Sequence, residues 1–313
     1  MENFRLKVFR VVARHLNFSR AAEELLLTQP AVTQQIKALE DEYGVPLFDR
    51  SGGRISLSQS GHALLPYAEK LKAISDEAYE AVTSSAGTHS GTLSLGASQT
   101  IGQYVLPNLI AAFLKENPRI RVTALSGNTD ETLKSLTAHR IQLALIEGPA
   151  LGKEFHIEPF MEDHMVLVVP ASHEWADQEI SLEALKSARL LMREFGSGSR
   201  RVVEDAVVNA GLKKKDLSVT MELDSTEGLL SAVEAGLGVT FVSRWAVRNQ
   251  LSLGTLKLAH VHGLSLSRMF SLAYPVGPEP FGNAAHFRRF LLSHSYDFAP
   301  RPTGRARKEI GRK

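Results

Sequence analysis

Gln29, Thr33, Gln34 and Lys37 lie opposite an apolar stripe in which Val32, Ile36 and Leu39 recur at i, i+4 and i+7. Amide and hydroxyl side chains on such a face can bond base edges, and a lysine can reach phosphate. Four polar loops further along offer a different chemistry. They are Ser98-Gln99-Thr100, Gly127-Asn128-Thr129, Gly196-Ser197-Gly198-Ser199-Arg200 and Ser225-Thr226-Glu227. Most of them open a helix, where free N–H groups and a hydroxyl suit a small anion. The candidate ligands are Ser98, Gln99, Thr100, Asn128, Thr129, Ser197, Ser199 and Thr226, with Arg200 as a charge partner. Taken singly, each loop is equally an ordinary N-cap.

The elements that must position the first set are short. Asn17 to Phe48 reads as two helices joined by a tight turn. Ser19 is a natural cap for the first and Thr28 for the second, with Pro30 in its first turn, where a missing N–H costs little. Ala21, Ala22 and Leu25 form a small apolar face that allows a close helix crossing. A helix from Asn3 to His15 should cover them with Phe4, Leu6, Val8, Phe9, Val11 and Val12. Gly52-Gly53, between Asp49 and Ser56, suggests a two-stranded wing, with Arg50 and Arg54 straddling the turn near the phosphate backbone. An ordinary surface helix in a bundle, with an exposed hairpin, is the plain alternative.

Ser60 to about Ser85 carries Leu64, Tyr67, Leu71, Ile74, Ala78 and Ala81 at alternating spacings of three and four. That seam suits a linker helix paired with a second copy. Leu64, Tyr67, Leu71 and Ile74 are the dimerisation candidates, and Pro66 predicts a kink or a later helix start. Thr83 to Gly91 follows as a flexible joint. Strand and helix patterns then alternate to Leu292. This predicts an α/β fold with parallel sheets covered on both sides and enough chain for two subdomains.

The stretch from Phe18 to Arg50 carries a family resemblance. Its Ser19-Arg20-Ala21-Ala22 run, its Thr28-Gln29-Pro30-Ala31-Val32-Thr33-Gln34-Gln35-Ile36 run and its Gly44-Val45-Pro46-Leu47-Phe48 run resemble the N-terminal domain of LysR-type transcriptional regulators. The resemblance implies a winged helix-turn-helix whose second helix enters the major groove of double-stranded DNA. Gln29, Pro30, Ala31, Thr33, Gln34 and Lys37 would then face DNA. It also implies an effector domain of two subdomains resembling type 2 periplasmic binding proteins, and a dimer or tetramer that can meet RNA polymerase. The expected domains are 1–58 for DNA binding, 59–88 for the linker and joint, and 89–298 for the effector. Within the last, subdomain I is 91–165 plus 268–298 and subdomain II is 166–267. The Ser98-Gln99-Thr100-Ile101-Gly102 and Gly196-Ser197-Gly198-Ser199-Arg200 loops look like the branch controlling carbon fixation and sulfur assimilation, although Ser199 stands where Thr is common there.

The totals set bounds on these readings. The chain has 313 residues, 43% of them hydrophobic, and no cysteine, which excludes disulfides and thiolate metal sites. No apolar run is long enough to span a membrane, and the start lacks the form of a secretory signal, so a cytoplasmic protein is expected. Net charge is only +2. Residues 1–58 carry eight Lys or Arg against seven Asp or Glu, whereas 299–313 carry six against one and read as a basic, disordered tail. His260 and His262 are the only metal-like spacing and lack a third ligand, so neither metal nor cofactor is expected. The rival functions are a small-molecule-binding protein without a DNA target, which has no use for the Asn17–Phe48 segment, and an enzyme, for which no acid–base pair or nucleophile stands out.

Overall fold

A computed structural model describes residues 3–49, 54–84, 89–148 and 153–294. Three helices open the chain: α1 (Phe4–His15), α2 (Phe18–Leu25) and α3 (Gln29–Tyr43). Strands β1 (Phe48–Asp49) and β2 (Ser56–Leu57) pair antiparallel as the base of the wing. The Gly52-Gly53 turn, Arg50 and the basic tail lie outside the described residues. Asn17, not Ser19, caps α2, because its side chain accepts from the N–H groups of both Ser19 and Arg20. Leu6, Val8, Phe9, Val11 and Val12 join Ala21, Ala22, Val32, Ile36 and Leu39 in one core, while Phe4 is left half exposed.

Helix α4 (Gln59–Ser84) continues through Pro66, without the later start that proline suggests. Ser58 anchors its beginning: the hydroxyl donates to the Pro46 carbonyl at 2.6 Å and accepts from Gly61 N–H at 3.0 Å. The first turns lie on the helix-turn-helix, with Leu64, Leu65 and Ala68 packed on its core. Arg10, almost fully buried, pairs with Glu69 at 3.1 Å across the same contact. Leu64 is therefore drawn out of the expected seam.

Beyond the joint come β3 (Gly91–Ser98), a π-helical turn (Ile101–Val105), α5 (Leu106–Glu116), β4 (Ile120–Gly127), α6 (Thr129–Thr137) and β5 (Leu143–Glu147). The long strand β6 (Phe155–Pro170) follows, then β7 (Glu179–Ile180), β8 (Leu190–Arg193), α7 (Gly198–Asn209), β9 (Val219–Leu223) and α8 (Thr226–Glu234). The chain continues with β10 (Thr240–Ser243), α9 (Arg248–Leu253), β11 (Leu256–Val261), β12 (Ser267–Pro275) and α10 (Gly282–Ser293).

The sheets are mixed rather than parallel throughout. Strands β4, β3 and β5 are parallel, as are β8 and β9. Strand β12 runs antiparallel to β5 and β6, and β10 and β11 run antiparallel to β6. Strand β6 begins ten residues before the apolar Met165–Pro170 run, because alternating residues such as His156 and Glu158 pair with β12 on a solvated face. Along it the burial passes from one core, with Phe160 and Met161, to another, with Met165, Leu167 and Val169. These cores define two halves joined by β6 and β12. The polar loops of the first half and those of the second meet between them.

Candidate DNA-binding face and effector cleft

Helix α3 presents its polar side to solvent. The Thr28 hydroxyl accepts from Ala31 N–H at 3.4 Å, and Pro30 occupies the first turn. Gln29, Pro30, Gln34 and Lys37 are exposed, and Ala31 and Thr33 are half buried. The Thr33 hydroxyl already donates to the Gln29 carbonyl, one turn back, at 3.0 Å. Arg54 is exposed just before β2. One contact escaped the sequence reading: Glu40 Oε1 accepts from the N–H groups of Leu47 and Phe48 at 2.8 and 3.2 Å. It pins the wing to α3 by a charge-assisted bond, and its only sequence signal is an acid eight residues before the strand.

Along α4, Tyr67 is 69% exposed, Leu71 50% and Ile74 49%, so this stripe is left open by the described residues.

In the cleft the candidate ligands divide. Ser98 and Ser197 are fully buried, and each has a hydroxyl with no hydrogen-bond partner. Ser98 ends β3 in the first half, and Ser197 caps α7 in the second without bonding it. Gln99 Oε1 is likewise buried and unpartnered, while its amide nitrogen donates to the Asp224 carbonyl at 2.5 Å. Thr100 is buried beside them.

The remaining candidates are engaged elsewhere. Asn128 and Glu131 form a reciprocal capping box at the start of α6. Thr129 donates to the Glu147 carbonyl at 3.1 Å. Thr226 accepts from Arg193, which also pairs with Glu194. Arg200 is not available as a charge partner: it is bound to Glu204, Glu222 and the Arg193 carbonyl, and lies over the Phe195 ring.

Ser199 belongs to a buried ion network. It donates to Glu147 Oε1 at 3.1 Å and accepts from Arg268 at 2.9 Å. Arg268 also bonds Asp163 at 2.8 Å and lies 3.0 Å from Glu147 Oε2, the latter contact too poorly aligned for a hydrogen bond. Ser243 donates to Asp163 at 2.6 Å. Two carboxylates thus share one guanidinium where β6 and β12 cross between the halves. Burial pushes the Asp163 carboxyl above its ordinary pKa, and Arg268 and Ser243 oppose that shift. Sequence gives no hint of this network, since its members lie far apart in the chain.

Besides the Gln99–Asp224 bond, the halves are bridged by Arg201 to Asp130 at 2.7 Å, by Asp130 N–H to the Gly196 carbonyl at 3.3 Å, and by Tyr104 to Glu227. Burial, then the Glu227 bond, raises the Tyr104 pKa, so its proton stays in place. Gly198 lies so close to the Glu147 carbonyl that a Cβ there would stand 1.9 Å from the oxygen, which holds the start of α7 against the end of β5.

His262 makes a surface pair with Glu179 at 2.8 Å. Among the described residues no group of three His, Asp or Glu could hold a metal ion, and no helix is long and apolar enough to cross a membrane.

Comparison with known proteins agrees with this architecture. Residues 4–62 match the bacterial regulatory helix-turn-helix protein family of lysR type, and residues 86–295 match the LysR substrate binding domain. A probable RuBisCO transcriptional regulator of Synechocystis is 34% identical over 297 residues, covering 93% of this chain and 86% of the relative. Full-length CbnR complexed with its target DNA superposes with a TM-score of 0.69 at 22% identity, over 96% of this chain and all of that one. The CcmR regulatory domain of Synechocystis in complex with 2-PG has a TM-score of 0.61 at 21% identity, over 67% of this chain and all of that one. A winged helix-turn-helix and a two-halved α/β domain, each matched by its own family description and joined by a long linker helix, place this chain in the LysR family of transcriptional regulators.

Proposed function

We propose that the chain is a cytoplasmic, sequence-specific DNA-binding regulator, not an enzyme, controlled by a small anion held in the cleft between its two halves. One observation carries the effector reading. Ser98 and Ser197 come from opposite halves, are fully buried, and keep unspent hydroxyls beside helix starts. Buried polar groups are nearly always paired, so two orphans on loops of opposite halves ask for a ligand. Helix N-termini favour that ligand being an anion, with no lysine required. The 2-PG bound by CcmR belongs to the same chemical class, a small anion. Occupancy of the cleft would bias the angle between the halves and so the placement of the DNA-binding heads.

For the DNA face, Gln29, Pro30, Ala31, Thr33, Gln34 and Lys37 would line the major groove, with Arg50 and Arg54 at the backbone. Self-association would use Tyr67, Leu71 and Ile74 of α4, giving at least a dimer.

The test is a thermal-shift screen with 2-phosphoglycolate, other phosphorylated acids, phosphate, sulfate and short organic acids. A ligand at a hundredfold excess over its Kd should add about 2.7 kcal/mol of stability. Ser98→Ala with Ser197→Ala should abolish the response while the protein still folds and shifts its own upstream DNA in a gel. Stabilisation by neutral or aromatic compounds alone, or an unchanged response in the double variant, rejects the anion cleft.

A further inference from the structure

His89 and His286 stack face to face where the arm enters the effector-binding half. Their ring centroids are 4.0 Å apart and their planes 8° from parallel. His89 lies two residues before β3, and His286 lies within α10, which also packs against α4. The joint is tied to the same helix by Asn283, whose amide donates to the Ser90 carbonyl at 2.9 Å. Asn117 spends its amide nitrogen on the Phe113 carbonyl, so its oxygen is the acceptor for His286 Nε2 at 2.8 Å. That contact leaves Nδ1 of His286 as the place where a proton would add. His89 Nδ1 is buried with no partner. Phe113 flanks the pair, its ring 5.5 Å from that of His286.

The geometry points to a proton-operated latch: the stacked His89–His286 pair holds the joint to α10 while His286 is neutral and releases it when His286 takes up a proton. A proton on His286 would put a charge face to face with the His89 ring, 4.0 Å away between centroids. The groups that face His286 are His89 in the joint, Arg289 on its own helix and Glu116 on α5. His89 and Arg289 oppose its charge, and only Glu116 favours it. Burial first, then His89 and Arg289, hold the His286 pKa below its ordinary value.

The sign follows from linkage. A histidine whose pKa is lowered in the closed joint binds fewer protons there than in the open one. The latch is therefore intact above the ordinary histidine value of about 6.5 and weakens as pH falls through it, up to tenfold per pH unit for each proton taken up. Because α10 touches both α4 and the effector half, release of the joint frees the arm from the domain that steers it. The latch operates whatever occupies the cleft.

The test uses the full-length protein without effector, from about pH 8 to about pH 5.5, spanning the histidine range. Thermal unfolding reads the joint, and energy transfer between the labelled ends of its upstream duplex reads the placement of the heads. His89→Phe with His286→Phe keeps two stacked rings and removes the titration. Wild type should lose Tm and change energy transfer with a midpoint below that of free histidine. The double variant should show neither change with pH, whatever its Tm near pH 8. His89→Phe alone leaves the Asn117 bond intact and should reduce the response if the double variant folds poorly. Superposable pH profiles for wild type and variants, or DNA geometry that does not move with pH in wild type, overturn the latch.

Discussion

Gln34 and Thr33 sit side by side on α3 but differ in what they have left to offer. Gln34 is exposed with a free amide, whereas Thr33 has returned its hydroxyl proton to its own helix. Gln34→Ala should therefore cost about 1–3 kcal/mol of discrimination between specific and random duplexes, and Thr33→Ala clearly less. Lys37→Ala and Arg54→Ala should weaken binding to every sequence and flatten its salt dependence, as the phosphate-contacting role proposed for them requires. Fluorescence anisotropy on specific and random DNA at several salt concentrations separates these roles. Equal losses on both duplexes for all four variants would contradict them.

Two features of α4 set the arm as an element. Its start is fixed by Gly61, where a Cβ would stand 2.1 Å from the Leu47 carbonyl and 2.9 Å from a Leu57 methyl. Gly61→Ala must push the helix off the wing, and overpacking of this kind costs about 1–3 kcal/mol. Chemical denaturation should show the loss, with the helix-turn-helix melting ahead of the rest. Further along, Tyr67, Leu71 and Ile74 form an apolar stripe that none of the described residues covers. Leu71→Asp should dissociate the oligomer, as read by sedimentation velocity, while leaving the fold intact. A wild-type monomer in the same experiment would remove the stripe's assigned purpose.

At the scale of the whole molecule, the Glu147–Arg268–Asp163 network ties β5, β6 and β12 together where the halves meet. Arg268→Met leaves two buried carboxylates without their cation, and breaking such a pair typically costs about 3–5 kcal/mol. The variant should lose cooperativity between the halves in calorimetry. A Tm within error of wild type would show that the network is not structural. Because Ser199 serves this network, Ser199→Ala should disturb the hinge more than it alters which anion binds.

The sequence by itself determined the helix-turn-helix, since local caps, small residues and the i, i+4, i+7 stripe of α3 act within forty residues. It likewise determined the α/β class, through strand and helix periods, and the four polar loops, through their capping residues. Only the tertiary structure decided which of those loop residues are free. Thr129, Ser199 and Thr226 offer the same hydroxyl chemistry as Ser98 and Ser197, yet their partners come from other strands and helices, 18 to 52 residues away in the chain. The parallel-sheet reading failed for the same reason: alternation of strands and helices is a local pattern, whereas the direction of β12 against β5 and β6 depends on how the chain returns from the second half. Leu64 also fits the seam by spacing, but the helix-turn-helix core lies against that face of α4 and buries it first. Periodicity specifies which faces must be covered, and three-dimensional packing selects what covers them.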